Sequence, residues 1–176
     1  MSTIFTPRLE LVPMSLELVE AVLSHDRDAS ERVAGAVLPK LWPNHALIER
    51  AFFVSLDAIR ADPARRLWGD RLCISRTEPR RVVGSVVFHG RPDDTDGICE
   101  LGYGIEEGSQ RDGLATEATT ACVAWAFQHD YVKAVRETTF SWHKPSLRVM
   151  EKLGMSHIGT EQHDTLGEML VYEVRR

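Results

Sequence analysis

A strand that passes directly into a helix through a glycine is the feature that most constrains this chain. Residues 110–115 follow a predicted strand at 99–106 and open a predicted helix that runs towards His129. The first amides of a helix have no partner within it and carry the positive end of its dipole, so they attract anions. Gly113 has no Cβ to hold a ligand away from the backbone, and Ala115 has only a methyl group. The segment therefore predicts a phosphate-binding loop.

The composition is that of an ordinary globular domain. The chain has 176 residues, of which 43% are apolar and 27% charged, and no linker or repeat divides it. We therefore expect one domain over residues 1–176. The net charge of −5 and the scattered basic residues argue against a nucleic-acid surface, and no apolar run is long enough to span a bilayer. We expect a cytoplasmic protein with neither nucleic-acid nor membrane partners.

The cysteines and histidines do not have the spacing of a reactive or metal-binding site. We expect reduced core thiols rather than a catalytic thiol, because each cysteine lies in an apolar run without C-x-x-C spacing. The histidines show no H-E-x-x-H or paired-ligand spacing, so we expect no metal.

Hydrophobic periodicity and turn residues predict the order of elements as β-αα-βββ-α-β-α-ββ. The predicted elements are a strand at 9–12, a helix capped by Ser15 with Leu16, Val19 and Leu23 on one side, a helix from Asn44 to 59, strands at 72–75, 82–88 and 99–106, a helix after Gly113, a strand at 134–140, a helix at 145–153, and strands at 156–163 and 169–175. This order indicates an α+β protein with a mixed sheet.

Three motifs resemble the GNAT superfamily of N-acetyltransferases. Residues 110–115, with the pattern Q-x-x-G-x-A, resemble its acyl-CoA pyrophosphate loop. Residues 100–105 resemble the E-x-G-Y-x-I strand of the branch that includes ribosomal-protein N-terminal (alanine) acetyltransferases, and residues 145–155 resemble the S-x-R-V-x-E-K-x-G-F/M helix of that branch. The resemblance is close over residues 98–160 and rests on element order elsewhere. It implies the GNAT acyl-CoA N-acyltransferase fold, a mixed central sheet flanked by helices.

The resemblance also implies a reaction and a binding site. Acetyl-CoA would be the co-substrate, and its acetyl group would pass directly to a primary amine, for example a protein N-terminal α-amine. Backbone amides near Gly104 and Ile105 would hold the thioester carbonyl, where the strand splays to admit pantetheine. The implied cofactor-binding residues are Tyr103, Gly104, Ile105, Gln110, Arg111, Asp112, Gly113, Leu114, Ala115, Thr116, His143 and Ser146.

Glu100 is the expected catalytic base. Gly102 lies two residues along the same strand and therefore on the same face. Because glycine has no side chain, that face would be an open floor at Gly102, and the Glu100 side chain would point over it into the cleft. A carboxylate acting through water is enough help for an α-amine of pKa about 7.7–8.0 and marginal help for a lysine near about 10.4. The alternative is a solvated residue at a strand end.

Ser146 is the expected hydrogen-bond donor to the departing sulfur. Many GNAT enzymes carry a tyrosine where this chain has Met150, so Ser146, one turn earlier, would supply the hydrogen bond instead. Capping of the helix is the alternative role for Ser146. His143 stands where the family more often has asparagine, and a neutral imidazole could donate one hydrogen bond in its place.

Other interpretations remain open at this stage. Trp42, His45 and Trp68 could line the acceptor cleft or pack in the core. The chain could be an acyl-CoA-binding or sensing domain without catalysis, and an acyl hydrolase would need a nucleophile beside a base, although no G-x-S-x-G motif is present. The sequence identifies neither the acceptor nor the oligomeric state; the two C-terminal strands could pair in a homodimer.

Overall fold

The computed structural model describes residues 3–40, 57, 60–92 and 96–176. The strands are β1 (Ile4–Phe5), β2 (Leu9–Pro13), β3 (Asp70–Ser75), β4 (Val82–Phe88), β5 (Ile98–Ile105), β6 (Ala134–Phe140), β7 (Ser156–His163) and β8 (Gly167–Arg175). The α-helices in these ranges are α1 (Leu16–Leu23), α2 (Arg27–Ala34), α3 (Leu114–Ala126) and α4 (Lys144–Lys152), and 3-10 helices cover Pro63–Trp68 and Glu107–Ser109. None of the helices described is long and apolar enough to cross a membrane.

In the described part of the chain the strands form one sheet in the order β1-β2-β3-β4-β5-β6-β8-β7. Neighbouring strands are antiparallel except β5 and β6, which run parallel. A parallel pair needs a crossover connection, and α3 provides it because it lies between β5 and β6 in the chain. The predicted mixed sheet with flanking helices is confirmed.

Helices cover both faces of the sheet. We call the face covered by α3 and α4 the α3 face; its core includes Leu11, Cys73, Leu101, Ala118 and Met150. We call the opposite face, on which α1 packs, the α1 face; its core includes Leu18, Val19, Val22, Leu72 and Ile74. Successive side chains of a strand point to opposite faces, so every strand residue belongs to one face or the other.

Most of the predicted elements are confirmed within a few residues. The Ser15 Oγ accepts a hydrogen bond from the Leu18 amide at 3.1 Å, as a helix cap does. The predicted stripe of α1 is partly wrong, because Leu18 and Val22 are buried with Val19 whereas Leu16 lies outside the core. The predicted helix from Asn44 and its stripe at Ile48, Phe52, Leu56 and Ile59 lie outside the described residues, except for helical positions at 57, 60 and 61.

The sequence analysis missed β1, α2 and both 3-10 helices. The ends of α2 are well marked: Asp26 Oδ1 accepts from the Ala29 amide at 2.9 Å, and Gly35 follows the helix with φ of 62°. Its interior, however, is mainly polar, with Arg27 and Glu31 paired at 2.9 Å. Hydrophobic periodicity is therefore absent, and only the caps could have predicted this helix.

Gly84 in β4 allows β4 and β5 to approach closely. A Cβ at this position would lie 2.2 Å from the Gly104 carbonyl oxygen and 3.0 Å from the Ile105 Cα. Both contacts are with backbone, which cannot move aside as a flexible side chain can. Gly84 therefore fixes the position of the last residues of β5.

We expect Gly84→Ala to lower the free energy of unfolding by about 1–3 kcal/mol, because the added methyl group forces β5 away from β4. Gly159→Ala is the matched control, since a Cβ there meets no atom within 4 Å. The control should change stability by no more than about 0.5 kcal/mol. Chemical denaturation measures both; equal stability of the two variants would contradict the close approach.

Candidate active site

A gap opens between β5 and β6 near the middle of the sheet. The parallel pairing covers only Ile98 to Glu100 on β5 and Ala134 to Arg136 on β6. Both strands continue beyond these residues, β5 to Ile105 and β6 to Phe140. The end of β5 keeps its pairing with β4 but has no ladder partner on its other edge. A ligand can therefore pair with the backbone on that edge.

Alternation along β5 decides which amides face the gap. The His89 amide donates to the Glu100 carbonyl at 3.0 Å, so Glu100 directs its backbone groups to β4. Residues two and four positions further, including Gly104, do the same, whereas Tyr103 and Ile105 direct theirs to the gap. The Gly104 amide therefore faces β4, and of the two residues expected to hold the acyl group only Ile105 directs its amide to the gap.

The predicted phosphate loop has the backbone of an anion site. Gly113 has φ of 78° and precedes α3, and no side chain caps this helix. The first intrahelical bond runs from the Glu117 amide to the Gly113 carbonyl at 3.0 Å. The amides before it belong to Leu114, Ala115 and Thr116, so three donors at the positive end of the helix lack intrahelical partners.

The residues before Gly113 shape the loop that leads to it. Gln110 Nε2 donates to the Ile105 carbonyl at 2.8 Å and thus joins the loop to the end of β5. Arg111 has φ of 70°, a conformation uncommon outside glycine, and both Arg111 and Asp112 are exposed. The loop and the end of β5 therefore form one continuous surface.

Arg8 lies at this loop, although the sequence analysis gave it no role. Its Nη1 donates to the Asp112 carbonyl at 2.8 Å and its Nε to Glu117 Oε2 at 2.6 Å. Its Nη2 lies 3.7 Å from where a Cβ on Gly113 would be, and half of its side chain is exposed. No local motif could have indicated Arg8, because more than 100 residues separate it from the loop.

Glu117 holds Arg8 in this position. Its Oε1 accepts from the Thr6 hydroxyl at 2.6 Å and from the Arg8 amide at 2.9 Å. Burial alone would raise the pKa of Glu117, but the hydrogen bonds from Thr6 and Arg8 and the charge of Arg8 outweigh it, and the pKa lies below its ordinary value. Glu117 is therefore a carboxylate at neutral pH and orients the arginine.

His143 and Ser146 form a pair at the start of α4. His143 Nδ1 lies 2.8 Å from Ser146 Oγ, and His143 occupies the N-cap position without a capping side-chain bond. The alternative of helix capping by Ser146 is therefore wrong, because its hydroxyl contacts an imidazole rather than a backbone amide. Met150, one turn further, is 1% exposed and lies in the core beneath Ser146.

Two buried polar side chains flank the gap on the α3 face. The Tyr103 hydroxyl and both carboxyl oxygens of Glu137 have no hydrogen-bond partner within the described residues. Burial raises the pKa of Tyr103 to about 12 and that of Glu137 to about 8. Both groups therefore remain protonated and neutral at pH 7.

Glu100 lies on the α1 face, on the opposite side of β5 from Tyr103. It is exposed and stands beside Arg136, whose guanidinium pairs with Glu173 at 2.8 Å. The expected open floor at Gly102 is wrong, because a Cβ there would lie 3.2 Å from His89 Nε2 and 3.3 Å from a Val87 methyl group. The imidazole of His89 thus covers Gly102 beside Glu100. Sequence reasoning missed it because only the strand register pairs the two.

Trp68 packs in the core on the α3 face and is 4% exposed. Its ring centroid lies 4.7 Å from that of Trp125 and 5.4 Å from that of Phe88. The interpretation of Trp68 as an acceptor contact is therefore wrong, and core packing is confirmed. Trp42 and His45 lie outside the described residues.

The three cysteines are unpaired and buried. Burial raises the pKa of Cys99 and of Cys122 to about 12 and that of Cys73 further still, so none is a ready nucleophile. Within residues 3–40, 60–92 and 96–176 no group of three His, Cys, Asp or Glu side chains is placed to hold a metal ion.

Comparison with known proteins gives one family. The family described as acetyltransferase (GNAT) domain matches residues 8–156. An uncharacterized N-acetyltransferase of Bacillus subtilis (strain 168), YjdG, is 24% identical over 149 residues, which are 85% of this chain and 86% of that protein.

Solved structures agree in fold. The ribosomal-protein-S5-alanine acetyltransferase of Vibrio fischeri superposes with a TM-score of 0.69 at 10% identity, covering 98% of this chain and 96% of its own. RimL, a ribosomal L7/L12 alpha-N-protein acetyltransferase solved with coenzyme A, superposes with a TM-score of 0.65 at 12% identity, covering 97% and 95%.

Glu137→Gln should stabilise the protein increasingly as the pH rises. The pKa of Glu137 rises from 4.5 to about 8 on folding, so between these values the folded state keeps a proton that the unfolded state has released. This acid therefore lowers stability progressively between about pH 4.5 and 8, and glutamine removes that effect.

The gain from Glu137→Gln should be near zero at pH 4.5 and reach up to roughly 5 kcal/mol above pH 8. Denaturation curves at several pH values measure it, and the exposed Glu161→Gln on β7 is the control, for which we expect no such trend. A constant difference between the Glu137→Gln and native proteins across this pH range would contradict the buried neutral acid.

Proposed function

The chain belongs to the GNAT acetyltransferase family, so acetyl-CoA is its acyl donor, and we propose that it passes the acetyl group directly to the α-amine of a protein or peptide N-terminus. The observation that carries the proposal is an uncapped helix N-terminus at Gly113 beside a strand edge where the backbone groups of Tyr103 and the amide of Ile105 have no ladder partner. One binds phosphates and the other binds an extended amide-bearing chain.

The residues at this site fit acetyl-CoA. Its pyrophosphate would meet the free amides of Leu114, Ala115 and Thr116, and the exposed half of the Arg8 guanidinium supplies a positive charge beside them. The backbone groups of Tyr103 and Ile105 would hold the pantetheine arm. When bound, acetyl-CoA supplies an activated thioester. Side chains of this protein would accept the proton of the amine and hydrogen-bond the departing sulfur.

Glu100 would take the proton of the acceptor amine. The carboxylate is exposed on the α1 face, and Arg136 beside it is already paired with Glu173. Glu100 is therefore available to accept a proton through water, leaving the amine neutral and nucleophilic. His89 lies across the strand pair and limits the space over Gly102.

Ser146 would hydrogen-bond the departing sulfur on the α3 face. When His143 Nδ1 carries a proton, it donates to Ser146 Oγ, and the serine hydroxyl is then free to donate elsewhere. His143 is exposed and Ser146 is half-buried, so the pair reaches from solvent towards the α3 face. Tyr103 and Glu137, both neutral, leave the surroundings of a developing thiolate free of negative charge.

An N-terminal α-amine is the acceptor class that this chemistry serves best. A carboxylate acting through water suits an amine of pKa about 8 better than a lysine. Two fold neighbours are named as acetyltransferases of ribosomal proteins, one at alanine and one at an α-amine. Both considerations favour a protein terminus over a lysine side chain.

We also propose the setting in which the protein works. A single GNAT domain would span residues 1–176, since the sheet continues through β8 beyond the matched region. The unpaired buried cysteines favour a reducing compartment such as the cytoplasm. The exposed strand β7 lies at the sheet edge, where a homodimer would pair.

We expect the native protein to acetylate an N-terminal alanine peptide within an amine panel, detected as a mass increase of one acetyl group. Gly113→Val should weaken acetyl-CoA binding at least tenfold, because its side chain stands where phosphate oxygens approach the backbone. Calorimetry measures this affinity.

Gly154→Val is the matched control for Gly113→Val. Gly154 has φ of 70° against 78° for Gly113, so valine brings similar backbone strain at both positions, and Gly154 lies after the C-terminal end of α4 rather than in the loop. If Gly113→Val binds acetyl-CoA with the affinity of the native protein, the loop at Gly113 is not the phosphate-binding site. Binding of acetyl-CoA without transfer to any amine would identify a non-catalytic acyl-CoA-binding domain instead.

We expect Ser146→Ala to lower kcat ten- to a hundredfold while the KM for acetyl-CoA stays nearly constant, because the hydrogen bond forms only as charge develops on sulfur. That loss corresponds to about 1.5–3 kcal/mol, typical of a hydrogen bond to a charged group. Steady-state kinetics and a thermal melt test it, with the exposed Ser156→Ala as control. A Ser146→Ala protein with a lowered Tm and full activity would contradict the role of Ser146 as the proton donor.

A further inference from the structure

Asp70 is a buried carboxyl group without an evident structural role. It is 7% exposed, and its Oδ1 has no hydrogen-bond partner in the described part of the chain. Burial raises its pKa to about 7, an effect that a bond from its own backbone amide only partly offsets. An acid kept buried without a partner costs stability, so it needs a reason other than packing.

Its neighbour Arg71 does not neutralise it. Successive residues of β3 point to opposite faces, and the Arg71 guanidinium lies over the Trp125 ring at 4.2 Å and donates to the Leu67 carbonyl at 2.9 Å. Arg71 therefore belongs to the α3 face. Asp70 shares the α1 face with Leu72, and no ion pair involving its carboxyl is formed among the described residues.

Strand register places Asp70 in the same row of residues as Gly102, on the face where the acceptor would bind. Asp70 pairs with Val87, and Val87 pairs with Gly102, so the three lie in one row across β3, β4 and β5. At the usual strand spacing, Asp70 and Gly102 are about 10 Å apart between Cα atoms. Glu100 is two residues from Gly102 on the same face.

We propose that Asp70 binds the acceptor amine in its ammonium form as the acceptor enters along the row that ends at Gly102, before Glu100 takes its proton. This inference rests on the proposed acetyl transfer and adds a specificity-determining residue to it. An ammonium group has three hydrogen-bond donors and a positive charge. It can therefore donate a hydrogen bond to the Asp70 carboxylate and neutralise its charge. The proton then passes from nitrogen to the Glu100 carboxylate, which becomes a carboxylic acid.

Two carboxylates with different surroundings thus share one acceptor. Asp70, buried, selects a cation because only a positive charge offsets the cost of ionising a carboxyl group at a buried position. Glu100, exposed, exchanges protons with water. The acceptor class is therefore an alkylamine that is charged at neutral pH, in preference to arylamines, alcohols or thiols of the same size.

The test compares Asp70→Asn, Glu100→Gln and the surface control Asp130→Asn, whose side chain is 98% exposed. Each protein receives an N-terminal alanine peptide or a neutral arylamine as acceptor at one pH. Asp70→Asn should raise the KM for the peptide at least tenfold and leave both the arylamine KM and the affinity for acetyl-CoA unchanged. Glu100→Gln should lower kcat instead, and Asp130→Asn should match the native protein.

An unchanged peptide KM in Asp70→Asn, or an equal rise for the arylamine, would overturn the role of Asp70. A second measurement needs neither a variant nor turnover: propylammonium should bind the native protein with measurable heat at neutral pH, and the neutral 1-propanol should not. Equal binding of the two compounds would also overturn it. Acetyl-CoA binding without transfer to any amine refutes the proposed catalysis separately, while the comparison of propylammonium with 1-propanol still decides whether this face holds an ammonium group.

Discussion

The parting of β5 from β6 after Glu100 and Arg136 is the constraint on which the site depends. Two parallel strands that stop pairing halfway leave backbone donors and acceptors on the edge of β5, and such groups need a partner. The close approach at Gly84 holds that edge against β4, and Gln110 ties it to the loop before α3. One irregularity of the sheet therefore produces both the strand edge and the helix terminus that together fit acetyl-CoA.

Side chains alternate along β5, so the groups proposed to contact the thiol and those proposed to contact the amine lie on opposite faces of the sheet. Tyr103 faces α3 and α4, with Ser146 and the neutral acid Glu137 nearby, and this side suits a departing thiol. Glu100 faces the opposite side, with His89 across the strand pair, and this side suits an arriving amine. Donor and acceptor would therefore approach one strand from its two sides and meet at the gap beside it, which supports direct transfer without a covalent enzyme intermediate.

Electrostatics differ between these faces in a way that matches the proposed roles. On the α3 face, burial keeps Tyr103 and Glu137 uncharged, so little opposes negative charge on sulfur. At the phosphate loop, Glu117 ionises and orients Arg8, so a positive charge is available where phosphates would bind. On the α1 face, burial raises the pKa of Asp70 to about 7, so a bound cationic acceptor would hold this group as a carboxylate. Each group has a charge state suited to what we propose it contacts.

The sequence alone determined the features that arise from short-range patterns. It predicted the strands at 134–140 and 156–163, the glycine turn into α3 and the start of α4, because periodicity, caps and glycine act within a few residues. Tertiary structure decided what depends on strand register and burial. The contacts of Arg8 at the loop, the position of His89 opposite Glu100 and the burial of Asp70 join residues that are distant in sequence. No local propensity encodes such pairings, since a shift of one residue in register would move each of these side chains to the other face.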